Sequence, residues 1–309
     1  MTLRFALLGA GRIGKVHARA VASNPQAKLV AVADAFEKAA TELASAYGAE
    51  VRSIDAIEKA KDIDAVIICT PTDTHADLIE RFAKAGKAIF CEKPIDLDIA
   101  STDQCLAAVE KAGVPLQIGF NRRFDPSFAA VKKRIDAGEI GAVEQVIITS
   151  RDPEPETEEA LAGGGGVFRE MTIHDFDMAR FLLGDYDTAM FILRTASGRQ
   201  CHINNSVRAV YGYDQRIEVH GAKGMLQAGN RTPTSVSLSG ESGIAADRPL
   251  YFFVERYAES YEAELDHFIQ SVAAGRTPAV GAADGRKAMI LCEAALASAK
   301  SGRFEPVRF

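Results

Sequence analysis

Through the first 120 residues, short runs of four to six apolar residues alternate with longer stretches whose apolar positions recur every three to four residues. Runs of the first kind mark strands buried on both faces, and stretches of the second kind mark amphipathic helices packed on them. Strands are predicted over residues 4–8, 28–33, 65–69, 88–91 and 116–119, with helices over 14–23, 35–47, 75–85 and 99–112. Glycine or proline follows several of these helices, as helix ends often require. Repeated strand–helix alternation predicts a doubly wound α/β domain around a parallel sheet.

After Asn121 the texture changes. A helical stretch over 126–137 leads into strand-like runs at 143–149, 188–195, 200–207 and 215–220 with few helices between them. That order predicts an α+β domain on a mainly antiparallel sheet. The runs Asp152-Pro153-Glu154-Pro155-Glu156 and Gly163-Gly164-Gly165-Gly166 bracket a polar, breaker-rich loop. Helices over 255–274 and 284–300 close the chain, and no repeat at solenoid periods occurs. The expected division is 1–120 and 121–309, with the C-terminal helix a candidate to pack back on the first domain.

A length of 309 residues suits two domains. Acidic residues outnumber basic ones by 42 to 36, a net charge of −6, which argues against nucleic acid as a main partner. The longest apolar runs, such as Ala65-Val66-Ile67-Ile68-Cys69, fall far short of a bilayer span, and the first residues lack the apolar core of a secretory signal. A cytoplasmic protein is expected, without a membrane partner. Five cysteines, none in a C-x-x-C pair, read as buried free thiols. The six histidines include no H-E-x-x-H, so no metal site is expected.

Gly9-Ala10-Gly11-Arg12-Ile13-Gly14 is a G-x-G-x-x-G run placed after the first predicted strand and opening the first helix. Its glycines permit a tight turn and close approach of backbone N–H groups to a pyrophosphate at a helix N-terminus. Asp34 follows at the end of the second strand, where a carboxylate accepts both ribose hydroxyls of an adenosine and repels a 2′-phosphate. NAD is therefore the expected cofactor. Residues 9–15 also match G-x-x-x-x-G-K, but Val16 replaces the hydroxyl residue a magnesium nucleotide requires.

Two further segments carry chemistry. Cys91-Glu92-Lys93-Pro94 places a lysine at the carboxyl end of a parallel strand, where open α/β sheets bind ligands; a surface salt bridge is the plain alternative. Glu170-Met171-Thr172-Ile173-His174-Asp175-Phe176-Asp177 sets Glu170 and His174 on one face if the turn is helical from its start. Such a pair orients an imidazole as a general base, or simply holds a histidine at a helix end. A metal held by Glu170, His174 and Asp177 is disfavoured by the single nitrogen ligand.

The succession of these motifs, with Thr70-Pro71-Thr72 and His75 between Asp34 and Glu92-Lys93-Pro94, and Gly164-Gly165-Gly166 ahead of Glu170, resembles the Gfo/Idh/MocA oxidoreductases over essentially the whole chain. Residues 119–125, 171–177 and 211–216 resemble the branch of that family acting on inositols. The resemblance implies a Rossmann NAD-binding domain and oxidation of one ring hydroxyl of a cyclic polyol, with myo-inositol the expected substrate. Open alternatives are scyllo-inositol or a pyranose sugar, and a dinucleotide-binding sensor without turnover.

By matching position, the resemblance implies Lys93, Glu170 and His174 as catalytic residues. Gly9, Gly11, Arg12, Ile13, Gly14, Asp34, Thr70, Pro71, Thr72, His75, Glu92, Lys93 and Asn121 are implied at the cofactor, and Lys93, Arg123, Asp152, His174 and Tyr213 at the polyol. A homo-oligomer, dimer or tetramer, is implied as well. Two departures stand out: Glu170 occupies a position where the family usually has Asp, and Asp185-Tyr186-Asp187 stands where the family usually carries a longer excursion.

Overall fold

The computed structural model describes residues 2–152, 168–184, 188–189, 192–206 and 209–309. The chain divides into two compact units, one of Met1–Phe124 with Glu259–Met289 and the other of Asp125–Ala258 with Ile290–Phe309.

The first unit is built on six strands: β1 (Leu3–Leu8), β2 (Ala27–Ala33), β3 (Glu50–Val51), β4 (Ala65–Ile68), β5 (Ala88–Cys91) and β6 (Leu116–Ile118). Their order is β3-β2-β1-β4-β5-β6 and every pairing is parallel, the doubly wound arrangement that reverses direction between β1 and β4. Helices α1 (Arg12–Ser23), α2 (Glu37–Tyr47), α3 (Ile54–Lys59), α4 (His75–Lys84) and α5 (Ile99–Ala112) connect the strands. Four predicted helices and five predicted strands lie within two residues of their expected bounds. β3 and α3 escaped prediction because two exposed residues and one and a half turns carry no usable period.

Helix Ala258–Ala273 joins this unit from Glu259 onward, beyond the predicted boundary at 120/121. Its Leu265, Phe268 and Ile269 complete a core with Phe5, Leu7, Val32, Ile67 and Phe90. Local patterning shows the helix to be amphipathic but cannot say which sheet its apolar face covers.

The second unit holds a seven-stranded sheet with β7 (Val143–Arg151), β8 (Thr188–Ala189), β9 (Ile192–Arg194), β10 (Gln200–Ser206), β11 (Asp214–Gly221), β12 (Gly224–Ala228) and β15 (Glu305–Pro306), in the order β12-β11-β7-β10-β9-β8-β15. All neighbours are antiparallel except β7 and β10, which run parallel, so the sheet is mixed but mainly antiparallel as expected. A separate hairpin pairs β13 (Ser237–Gly240) with β14 (Gly243–Ala246). Helix α6 (Pro126–Asp136) starts at Asp125, whose carboxylate caps the amides of Ser127 and Phe128.

The helix expected over 255–274 is interrupted at Tyr257 into Phe253–Arg256 and Ala258–Ala273. The expected breaker-rich loop beyond Asp152, the Gly163–Gly166 run, the shortened segment Asp185–Asp187 and the end of the predicted strand at Val207 lie outside the described residues. No described helix is long and apolar enough to cross a membrane.

Candidate active site

The glycine turn follows β1, and its geometry shows why glycine is needed at two positions. Gly9 has φ +97°, and a Cβ there would stand 2.4 Å from the carbonyl oxygen of Cys69. A Cβ on Gly14 would stand 2.0 Å from the carbonyl oxygen of Gly9, so α1 packs directly on the turn. Gly11 differs: a Cβ there would meet nothing within 4 Å. Gly11 is also the N-cap of α1, without a side-chain cap and with no acidic residue in the first turn. Open space therefore lies beside uncapped helix amides, the setting that accepts a pyrophosphate. Arg12 is exposed, and Ile13 packs against the core.

Asp34 ties the turn to the end of β2. One carboxylate oxygen accepts the amide of Ala10 at 2.6 Å and the other the amide of Phe36 at 2.8 Å. Each oxygen retains acceptor capacity, so the fixed, half-buried carboxylate can still receive two ribose hydroxyls. These residues fit a bound NAD.

After β4, a short turn over Thr72–Thr74 is closed by a 2.6 Å bond between the hydroxyls of Thr70 and Thr74 and by the Thr74 hydroxyl donating to the Pro71 carbonyl at 2.7 Å. His75, 2% exposed, lies with Nδ1 2.7 Å from the Pro94 carbonyl oxygen and Nε2 2.8 Å from that of Thr70. The ring thus lies between the turn after β4 and the turn after β5, its N–H donating to a carbonyl of one of them, which places the His75 side chain in the scaffold.

Glu92 is likewise turned inward. Its Oε1 lies 2.6 Å from His17 Nε2, its Oε2 accepts the Lys93 amide at 3.3 Å, and a Cβ on Gly119 would meet the carboxylate at 3.1 Å. The side chains of His75 and Glu92, expected at the cofactor, are therefore engaged with interior groups and neighbouring backbone. Lys93 is half-buried at the strand end. Asn121 is buried, with its amide 3.3 Å from the Ser260 hydroxyl. Arg123, expected at a polyol, is ion-paired with Asp284 at 3.1 Å within the same unit, a partner distant in sequence.

In the second unit Phe168–Thr172 is a π-helical turn, followed by helix Ile173–Leu183. The expectation of a regular helix from Glu170 onward is corrected: the four-residue register of an α-helix begins only at Ile173. π-Turns inside helices are often found at functional sites. Glu170 and His174 are both half-buried. The buried Asp175 beside them accepts from the Ser150 hydroxyl and from Asn205 Nδ2, the latter at 2.7 Å, which fixes this helix start on β7 and β10.

Asp152 continues β7, its amide bonded to the Ser206 carbonyl at 2.8 Å. Tyr213 is buried, with its ring edge-on to Phe252 and Tyr257. Next to it Asp214, singled out by no spacing rule, accepts from Arg216 at 2.6 Å and from the Tyr211 hydroxyl and Asn230 at 2.7 Å, with Arg151 at 3.2 Å. Burial alone would raise its pKa, but these hydrogen bonds and the Arg216 charge outweigh that and lower it to about 2.

Among the described residues, one cluster of His, Cys, Asp or Glu side chains converges closely enough to hold a cation: Glu92, expected at the cofactor, with His17 and Glu264, which no motif marks. They come from three elements far apart in the chain, beyond the reach of any local spacing rule.

A model of an oxidoreductase family with an NAD-binding Rossmann fold matches residues 3–120, and a model of that family's C-terminal α/β domain matches 132–309. The chain is 55% identical to the inositol 2-dehydrogenase of Rhizobium meliloti, with 98% of each chain covered. That alignment spans 326 positions, more than the 309 residues here, so this chain lacks residues its relative has. The crystal structure of a myo-inositol dehydrogenase from Corynebacterium glutamicum matches with TM-score 0.95 at 42% identity over 100% of both chains. A scyllo-inositol dehydrogenase from Lactobacillus casei, solved with NAD(H) and scyllo-inositol, matches with TM-score 0.90 at 27% identity over 99% of both.

Proposed function

Because the chain belongs to the Gfo/Idh/MocA oxidoreductase family, whose first domain is an NAD-binding Rossmann fold, we propose that it oxidises one ring hydroxyl of myo-inositol to a ketone with NAD. The observation that carries this reading is Lys93 at the carboxyl end of β5, in the same rank of strand ends as the glycine turn and Asp34. A plain nucleotide-binding domain has no need of a cation there. The substrate class comes from the near-full-length similarity to enzymes named inositol dehydrogenases.

Gly9, Gly11 and Gly14 with Arg12 and Ile13 are assigned to the pyrophosphate, Asp34 to the adenosine ribose, and Thr70, Pro71, Thr72 and Asn121 to the remainder of the dinucleotide. His75 and Glu92 support these turns from below. Bound NAD supplies the hydride acceptor. Lys93 donates a hydrogen bond to the reacting hydroxyl oxygen and stabilises the negative charge that grows on it. His174 accepts the hydroxyl proton, and Glu170 orients the imidazole and favours its charged form. Arg123, Asp152 and Tyr213 are assigned to the polyol, Arg123 with its charge already balanced by Asp284.

One observation favours a second reading, a dinucleotide-binding sensor without turnover: Glu170 lies in a π-turn with a side chain one methylene longer than the family's usual Asp. Scyllo-inositol remains the alternative substrate, since a relative named for it shares the fold. A cytoplasmic setting is supported by five free, buried cysteines. Self-association is supported by the β13–β14 hairpin, where Leu238 and Ile244 are 71% and 80% exposed.

The test is NADH formation across a panel of inositol isomers and pyranose sugars. Turnover highest with myo-inositol is expected. Binding of NAD without NADH formation on any cyclic polyol would move the assignment to the sensor.

A further inference from the structure

Beneath Lys93, three ionisable side chains meet inside the first unit: His17 from α1, Glu92 from the end of β5 and Glu264 from helix Ala258–Ala273. His17 and Glu264 are fully buried and Glu92 is 8% exposed. His17 and Glu92 bond to each other, while His17 Nδ1 and both carboxylate oxygens of Glu264 have no hydrogen-bond partner among the described residues. The other groups facing them are the buried thiols of Cys69 and Cys91, the rings of Phe90 and Tyr261, and the amide of Lys93. No lysine or arginine is paired with either glutamate among the described residues.

Two carboxylates this close, in an apolar core with no lysine or arginine beside them among the described residues, repel one another and disfavour a second negative charge. Glu92 is the one with hydrogen-bond partners, His17 Nε2 and the donating Lys93 amide, so the charge is assigned there and the proton to Glu264. Burial and the neighbouring charge of Glu92 both raise the pKa of Glu264 well above the ordinary carboxylate range.

We propose that His17, Glu92 and Glu264 form one buried cluster holding a single negative charge, with Glu264 a neutral acid and Glu92 the anion, and that this cluster positions Lys93. Glu92 grips the Lys93 amide on one side and lies on Gly119 on the other, so its carboxylate fixes the backbone from which the Lys93 side chain departs. His17 and Glu264 are positioning residues in this account. The proton assignment stands on the cluster alone; the link to turnover rests on the role proposed for Lys93.

The sign of the pH dependence follows. A carboxyl whose folded pKa lies above its unfolded value binds its proton more tightly in the folded state. Stability it contributes is full below about pH 4.3 and is lost as pH rises toward the folded pKa. Glu264→Gln keeps the shape of the neutral acid and cannot ionise. Its melting temperature relative to the native protein should therefore climb from pH 5 to pH 9, and kcat should stay within about threefold of native. Glu264→Leu and His17→Gln should lower kcat about tenfold or more while leaving NADH affinity near native.

Infrared difference spectra between the native protein and Glu264→Gln provide the decisive signature, a carboxylic-acid carbonyl stretch at neutral pH that the substitution removes. That band together with the rising melting-temperature difference supports the proposal. Absence of the band, or a stoichiometric divalent metal in the purified protein whose removal lowers the melting temperature, overturns it. The band with unaltered kcat in Glu264→Leu and His17→Gln overturns the positioning link. Should Lys93→Ala retain full turnover, the proposed role of Lys93 fails while the infrared result still decides the proton on Glu264.

Discussion

In the first unit every residue assigned to the cofactor follows the carboxyl end of a parallel strand, whereas in the second the proposed base sits just past a π-turn on a helix beside a mixed sheet. The first arrangement is repetitive: five of the six strands deliver one segment to the same edge, and the glycine turn is fixed by backbone contacts on both sides. The second depends on individual polar anchors, Asp175 at the helix start and Asp214 among its five donors from four residues. A dinucleotide can be held by repeated backbone geometry, but a proton acceptor needs one side chain held in one orientation.

The largest effect that would break this comparison is expected in the first unit. Gly14→Ala puts a Cβ 2.0 Å from the Gly9 carbonyl, and backbone cannot move aside cheaply. NADH titration should show a dissociation constant raised by about 100-fold or more, with far-ultraviolet circular dichroism close to native. An alanine variant that binds NADH normally would show that the turn is not the cofactor cradle.

In the second unit the largest effect belongs to a buried ion pair. Asp125 and Arg256 are each about 1% exposed and bonded to one another, and the guanidinium also lies 5.3 Å from the Phe128 ring centroid and 4.8 Å from that of Tyr257. Asp125→Ala strands a buried cation and uncaps α6, so chemical denaturation should show a loss of about 3–5 kcal/mol. Arg256→Met combined with Asp125→Asn should lose less, because it removes the charges together.

A smaller effect should separate the two functions of Asp34. Asp34→Ala removes the repulsion of a 2′-phosphate along with the ribose acceptor and the anchor on Ala10. The ratio of kcat/KM with NAD to that with NADP should fall about tenfold, near one interaction of ~1.4 kcal/mol. An unchanged ratio would place cofactor choice elsewhere.

The smallest effect is a pH dependence confined to acid. Asp214 has a folded pKa of about 2, below the ~3.9 of an unfolded aspartate. Its contribution to stability is full above about pH 4 and lost as pH falls toward 2. Melting temperatures of the native protein should decline across that window more steeply than those of Asp214→Asn. Parallel curves would mean that the network around Asp214 adds nothing to folding.

The same contrast explains what the sequence revealed. Period and punctuation located five of the first unit's six strands and most of its helices because a repeated parallel fold repeats its pattern. The glycine turn and Asp34 were legible because backbone close approach and a strand-end carboxylate both have short-range signatures. The meeting of Glu92 with His17 and Glu264 was not, since burial of polar side chains against one another leaves no period. The inward turn of His75 and the pairing of Arg123 with Asp284 were invisible for the same reason. In the second unit, the interruption at Tyr257 and the π-turn at Phe168–Thr172 replaced regular helices, because tertiary contacts overrode local propensity.

The central claim is the pair of roles proposed for Lys93, on the hydroxyl oxygen, and His174, on its proton. The most direct measurement is kcat with NAD and myo-inositol for Lys93→Ala and His174→Ala, alongside NADH dissociation constants for the same proteins. The account predicts a fall in kcat of about 10²–10⁴-fold for His174→Ala and a comparable loss for Lys93→Ala, with NADH affinity nearly intact. Native turnover in His174→Ala at neutral pH would contradict it.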